Sequence, residues 1–134
     1  MTMRRVTRLA LLAGLAVPGL GQSARTPALP ALSSIQPGQW ALRSRDDPSE
    51  NRSICVAEPR TLLQIRHSGA NCSRYVIENE ARSATVHYTC PGQGHGRTTI
   101  RVESARLVQI ESQGIASGDP FSVSLEGRRT GACG

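Results

Sequence analysis

A chain of 134 residues is long enough for one domain and too short for two of ordinary size. Its 16 basic residues, all of them arginine, outnumber 10 acidic residues and give a formal net charge of +6. With 38% hydrophobic and 19% charged residues, the composition excludes a coiled coil and a disordered chain of low hydrophobicity. Only four residues are aromatic, so we expect a small, mainly aliphatic core.

The first 23 residues have the layout of a secretory signal peptide. Arg4, Arg5 and Arg8 precede a nine-residue apolar run that ends at Pro18. This run is too short to cross a bilayer, which takes about 20 residues. Small residues follow it where a signal peptidase would cut. We therefore predict export to the periplasm or the medium, cleavage after Ser23, and no membrane-spanning segment.

Cleavage of the signal peptide would lower the net charge of the protein. Removing 23 of 134 residues leaves 111, and removing three arginines leaves 13 basic against 10 acidic residues, or +3. The remaining arginines are interspersed with acidic residues, whereas nucleic-acid binding needs clustered cations. The sequence therefore predicts no nucleic-acid partner. An acidic envelope partner docked by exposed arginines, such as Arg128 and Arg129, stays open as an alternative.

Residues 24–36 show no clear hydrophobic periodicity and contain two prolines, so we predict a flexible lead-in to a single β domain over residues 37–134. The domain begins with two short strands and one short helix. Pro59 fits the first helical position and Gly69 follows the last turn. In chain order, these elements cover residues 39–43, 53–56 and 59–67.

The remainder of the chain alternates between apolar and polar residues, which predicts strands that have one buried and one solvated face. The predicted fold is mostly β: an antiparallel meander of about seven strands. Glycines along the strands favour a curled sheet or small barrel, and a sandwich remains an alternative. The later strands are predicted over residues 72–79, 84–90, 98–103, 107–112 and 121–126.

Four cysteines form an even set in a chain predicted to be exported, which indicates two structural disulfides. In a hairpin made by the third and fourth strands, opposed residue numbers add to 162. Cys72 then faces Cys90 at the open end of the hairpin, within reach of a bridge. By elimination Cys55 pairs with Cys133 and links the start of the domain to its end. Peptide mapping that joined Cys55 to Cys72 would contradict this assignment.

Few residues are candidates for binding or catalysis. The hairpin register places Tyr75 opposite His87, and His95 lies in a glycine-rich stretch. These histidines are suited to acid–base chemistry near neutrality, so a hydrolase or a metal-dependent enzyme using His87 and His95 is an alternative. Metal-ligand spacings and a nucleophile elbow are missing, so we predict no metal, no cofactor and no catalytic residue. The candidate binding residues are Trp40, Tyr75, His87, His95 and Arg97.

The third histidine, His67, has a simpler expected role. It lies at the end of the predicted helix, beside Gly69. A histidine at this position commonly interacts with the last carbonyl groups of its helix.

Several motifs stand in a fixed order along the domain. Pro37-Gly38-Gln39-Trp40 opens it, Cys55-Val56-Ala57-Glu58-Pro59 follows the second strand, Tyr88-Thr89-Cys90 ends the hairpin, and Gly127-Arg128-Arg129-Thr130-Gly131-Ala132-Cys133 closes the chain. Together they resemble the bacterial family called domain of unknown function 3617, over about residues 36–134. The resemblance implies a small exported envelope protein with no established activity. The loop between Trp40 and Cys55 is shorter than in similar proteins.

The sequence as a whole predicts a non-enzymatic, exported β domain, held by two disulfides, that binds a component of the envelope. Its partner is not identified by any motif. If the ligand is small and apolar, the apolar face of a curled sheet would hold it in a cup.

Overall fold

The computed structural model describes Gly19, Gly21 and residues 26–134. Apart from those two glycines, the predicted signal peptide lies outside the described residues. None of the helices in the described part is long and apolar enough to cross a membrane. The elements are α1 (Pro30–Ser33), β1 (Gly38–Ser44), a 3-10 helix (Pro48–Glu50), β2 (Arg52–Val56), a second 3-10 helix (Pro59–His67), β3 (Ser73–Asn79), β4 (Ser83–Cys90), β5 (Gly94–Ser104), β6 (Leu107–Ala116) and β7 (Asp119–Gly131).

All seven strands form one antiparallel sheet in the order β2-β1-β7-β6-β5-β4-β3. Strands β3 to β7 make a meander, and the hairpin β1–β2 joins it because β1 pairs with β7. The prediction of a mostly β, antiparallel fold with seven strands is confirmed. Among the described residues, β2 and β3 are the two edges of an unclosed sheet, so the structure has neither the closed barrel nor the two-sheet sandwich.

One face of the sheet, the inner face, carries the hydrophobic core. Trp40, Val86, Ile100 and Ile110 are each 0% exposed there. The second 3-10 helix and α1 cover this face and contribute buried leucines to the same core. The opposite, outer face is polar, as the alternating pattern predicts.

The structure describes residues 26–36 of the predicted lead-in over residues 24–36, and part of this stretch packs on the sheet. Pro30–Ser33 form a helical turn in which proline occupies an early position that needs no hydrogen bond from its nitrogen. Ala31, Leu32 and Ile35 are buried in the core. A single turn is too short to show helical periodicity, so the sequence pattern does not predict it.

The predicted helix over residues 59–67 is present as the 3-10 helix Pro59–His67. Its backbone is broken at Gln64, where φ is −130° and ψ is 48°. The Gln64 side-chain amide donates hydrogen bonds to the carbonyl groups of His67 and Ala70, at 3.0 and 2.9 Å. Gly69 follows with φ of 76°, a left-handed conformation that glycine adopts without steric cost.

Both predicted disulfides form. Cys72–Cys90 joins the open end of the β3–β4 hairpin with a Cα–Cα distance of 4.2 Å. Cys55–Cys133 joins the start and end of the domain across a sequence separation of 78 residues. The register in which opposed numbers add to 162 holds as far as Val76 and then shifts at a bulge.

Candidate functional site

The structure places one of the five candidate binding residues in the core. Trp40 is fully buried, and its indole Nε1 donates a hydrogen bond to the carbonyl oxygen of Gln36 at 3.0 Å. A side chain in this position supports the fold and is not available to a ligand on the protein surface.

The other four candidates, Tyr75, His87, His95 and Arg97, lie together on the outer face of strands β3 to β5, and we call them the outer patch. Tyr75 is directly opposite His87, which is directly opposite Arg97. His95 is diagonal to His87, and the two imidazole rings are 5.7 Å apart between centres. Tyr75 is 73% exposed. The fold thus brings four of the five candidate residues to one surface.

A shallow groove of about 370 Å³ continues the outer patch from β4 and β5 across β6 to Phe121 in β7. His87 and His95 line it; both are exposed and alternate along their strands with buried residues, so they face away from the core. The lining residues are His87, His95, Arg97, Gln113, Gly114, Ile115 and Phe121.

The remaining histidine has a different role from the one expected. His67 is 4% exposed and does not point to the last carbonyls of its own helix. Its Nε2 is 3.1 Å from the carbonyl oxygen of Gln93, and its Nδ1 is 3.0 Å from the Tyr88 hydroxyl. A carbonyl oxygen only accepts, so Nε2 carries the hydrogen, and in the neutral ring Nδ1 accepts from Tyr88. This bridge ties the 3-10 helix to β4 and to the β4–β5 turn.

Tyr88 is buried beside this histidine. Burial is the main cause that raises the pKa of its phenol, against smaller opposing effects from a hydrogen bond to Ser112 and from the charge of Arg66. The phenol therefore stays neutral and remains able to donate to His67.

A second concavity, the inner groove, lies between the segment before β1, the start of the second 3-10 helix and the inner face of β3 and β4. Its volume is about 530 Å³. Most of its walls are apolar, including Leu29, Leu32, Pro59, Val76 and Val86. It lies next to β3, one of the two edges of the sheet, where the fold is open.

Two arginines, Arg60 and Arg74, also line the inner groove. The Arg60 Nε lies 2.9 Å from the carboxylate of Glu58. Burial lowers the pKa of Arg74, the charge of Arg60 lowers it further, and Glu58 partly opposes both. Two guanidinium groups with one carboxylate leave one positive charge in excess beside apolar walls.

The sequence interpretation missed the inner groove, although one signal for it was available. In β3 the buried side of the strand includes Val76, so a residue two positions earlier, Arg74, must share that side. An arginine on the apolar side of a strand is unusual, and its charge favours a negatively charged group as a partner at that place. The contribution of residues 26–37 to the groove has no comparable signal.

The structure also shows what Arg128 and Arg129 contact. Arg128 forms an exposed ion pair with Glu126 at 3.2 Å. The Arg129 Nε donates a hydrogen bond to the carbonyl oxygen of Pro37 at 2.8 Å. Both side chains are therefore engaged within the protein.

Within the part of the chain that the structure describes, no group of three or more histidine, cysteine, aspartate or glutamate residues is arranged to bind a metal ion.

A family model described as "Protein of unknown function (DUF3617)" matches residues 35–133. No curated protein matches the chain. No solved structure matches it either.

Proposed function

We propose that this chain, which belongs to the DUF3617 family of proteins of unknown function, is an exported, non-enzymatic binding protein of the cell envelope. Its ligand is an apolar molecule with one anionic group, held in the inner groove. The observation that carries this proposal is the combination of apolar walls with an excess arginine charge in a groove of about 530 Å³.

Two disulfides support the exported location. Disulfides form and persist in oxidising compartments such as the periplasm, and they are rare in the cytosol. All four cysteines of this chain are paired. The basic and apolar pattern of residues 1–23 supports the same location.

The walls of the inner groove support an apolar ligand. Ligand sites are concave, mostly apolar and about 300–1,000 Å³ in volume, and this groove falls within that range. Leu29, Leu32 and Val76 offer contacts for a hydrocarbon chain. Because the groove lies next to the edge strand β3, a chain could enter it without opening the sheet.

The arginines support an anionic group on that ligand. A guanidinium offers a planar fork of donors that matches a carboxylate or a phosphate. Arg74 is half-buried, so an ion pair formed with it is less screened than one on the open surface. Glu58 neutralises part of the charge of Arg60, which makes Arg74 the main partner for the ligand.

The test compares two probes of equal chain length, dodecanoate and 1-dodecanol, by isothermal titration calorimetry with the purified, oxidised protein. Dodecanoate should bind more tightly than the alcohol. Arg74→Gln should weaken dodecanoate binding by about tenfold, equivalent to about 1.4 kcal/mol, and leave the alcohol unchanged. Arg101→Gln, an exposed arginine on the outer face of β5, is the matched control and should change neither.

Two results would contradict the proposal. If neither probe binds below its solubility limit, the inner groove is not a site for such ligands. If Arg74→Gln and Arg101→Gln have equal effects on dodecanoate, the arginine of the groove does not recognise the anionic group.

A further inference from the structure

We propose that His87 and His95 form a two-histidine site on the outer patch for late first-row divalent metal ions, with Cu²⁺ bound most tightly. This site is separate from the inner groove. It rests on the distance between the two imidazole rings, on their exposure and on the rigidity of the strands that carry them.

The rings lie close to the spacing that two ligands of one metal ion require. With metal–nitrogen bonds of about 2.0–2.1 Å, two imidazoles on one ion have ring centres roughly 4.5–5.5 Å apart for bond angles near 90–120°. The observed separation is 5.7 Å, and the ring planes are inclined by 32°. Both side chains are exposed, so small rotations about their side-chain bonds are free to close the remaining gap.

The backbone that carries the two histidines is well ordered by pairing. β4 and β5 are paired without a bulge from Ser83↔Arg101 to Cys90↔Gly94, and both histidines lie within that ladder. Each of the two strands has a neighbour on its other side as well, β3 or β6. Because the Cα positions are fixed, a metal ion would have to order only two side chains, which reduces the entropic cost of binding.

The donor type indicates which ions the site would accept. Imidazole nitrogen suits zinc, copper and nickel, whereas magnesium and calcium prefer oxygen. Among divalent ions of the first row, affinity for a given nitrogen site rises to Cu²⁺ and falls again at Zn²⁺. The described residues offer no third histidine, cysteine or carboxylate at this place. Water or a ligand from outside the protein would therefore complete the coordination, as in open metal sites.

One neighbour opposes the binding of a cation. Arg97 lies directly opposite His87 on the adjacent strand. The positive charge of Arg97 repels a metal ion bound by the two histidines, although solvent screens part of this repulsion. Replacing Arg97 with glutamine should therefore strengthen metal binding, which is the opposite of the effect expected for the histidines.

The test titrates the purified, oxidised protein with ZnCl₂ and separately with CuCl₂ and measures both affinities by calorimetry; NMR follows the histidine ring nitrogens with Zn²⁺, which is diamagnetic. We expect one ion per chain, tighter binding of Cu²⁺ than of Zn²⁺, and shifts of the His87 and His95 rings with Zn²⁺. The ring of His67 should not shift, because both of its nitrogens are already hydrogen-bonded in the interior. His87→Gln and His95→Gln should each weaken binding about tenfold or more, and Arg97→Gln should strengthen it.

Three results would overturn the proposal: no ring shift at millimolar Zn²⁺, shifts confined to His67, or an affinity for Zn²⁺ that the double variant H87Q/H95Q retains. All these substitutions are at exposed positions, so the variants should fold. The circular dichroism spectrum of the double variant checks this directly. Dodecanoate binding in the inner groove should be the same in H87Q/H95Q, which keeps the two proposals separate.

Discussion

Gly96 lies on the inner face of β5, opposite Tyr88, and its replacement by alanine tests how tightly the His67–Tyr88 bridge is packed. A Cβ atom at this position would lie 2.5 Å from the Tyr88 hydroxyl oxygen, 2.6 Å from Cζ and 2.8 Å from Cε1. Nonbonded carbon atoms prefer separations of about 3.5–4.0 Å. The tyrosine ring is 0% exposed and cannot swing into solvent to make room.

The cost of Gly96→Ala follows from this crowding. Overpacking a buried site costs about 1–3 kcal/mol. We expect the upper part of that range, because three ring atoms are too close at once and the ring is held by its hydrogen bond to His67. The backbone of Gly96 is not in the left-handed region, so alanine adds no backbone strain and the destabilisation comes from the steric contact.

The measurement is urea denaturation followed by circular dichroism. Gly131→Ala is the matched control, since a Cβ at Gly131 meets no atom within 4 Å. That variant should be unchanged or more stable by about 0.5–1 kcal/mol, because alanine loses less backbone entropy than glycine on folding. In a Tyr88→Phe background, which removes the closest atom, Gly96→Ala should cost less. Equal stability of the Gly96→Ala and Gly131→Ala proteins would refute the packing argument.

Three further predictions concern other parts of the fold. Leu32→Ala should destabilise the protein by about 2–5 kcal/mol because this residue is buried, while Ser33→Ala, an exposed neighbour, should have little effect in the same urea assay; equal effects would show that α1 does not belong to the core. Removing the 78-residue link with C55S/C133S should lower the free energy of unfolding by about 4.5 kcal/mol in the chain-entropy model, and a loss below about 2 kcal/mol would contradict it. Burial raises the pKa of Tyr88 above its ordinary value of 10.0. The neutral phenol therefore contributes fully to stability below that pH, and this contribution is lost as the pH rises through the folded-state pKa. The urea midpoint of the protein should fall with rising pH in this range, and Tyr88→Phe should remove that part of the fall.

The local parts of the fold were readable from the sequence because they depend on residues close along the chain. Alternation fixed the faces of the strands, and the short connection between β3 and β4 fixed their register, which placed Cys72 opposite Cys90. The same register placed Tyr75 opposite His87. Much of the outer patch could therefore be predicted without coordinates.

The non-local parts could not be read in the same way. Alternation says which face of a strand is buried but not which strand lies beside it, so the pairing of β1 with β7 and the open edge at β3 were not predictable. His67 was assigned to its own helix because its true partner, the Gln93 carbonyl, is 26 residues away along the chain. The inner groove is formed by three separate stretches of chain, and no local sequence pattern indicates that these stretches are in contact.

The Cys72–Cys90 disulfide lies within the loop that Cys55–Cys133 closes, and this arrangement affects the order in which the native disulfides can form. When the chain emerges N-terminus first, Cys55 and Cys72 are the first two cysteines to appear, and they do not form a disulfide with each other. Cys55 has to wait for Cys133, the last cysteine to appear, just as β1 has to wait for β7. Oxidation in order of appearance would trap a wrong bond, and correcting it requires thiol–disulfide exchange.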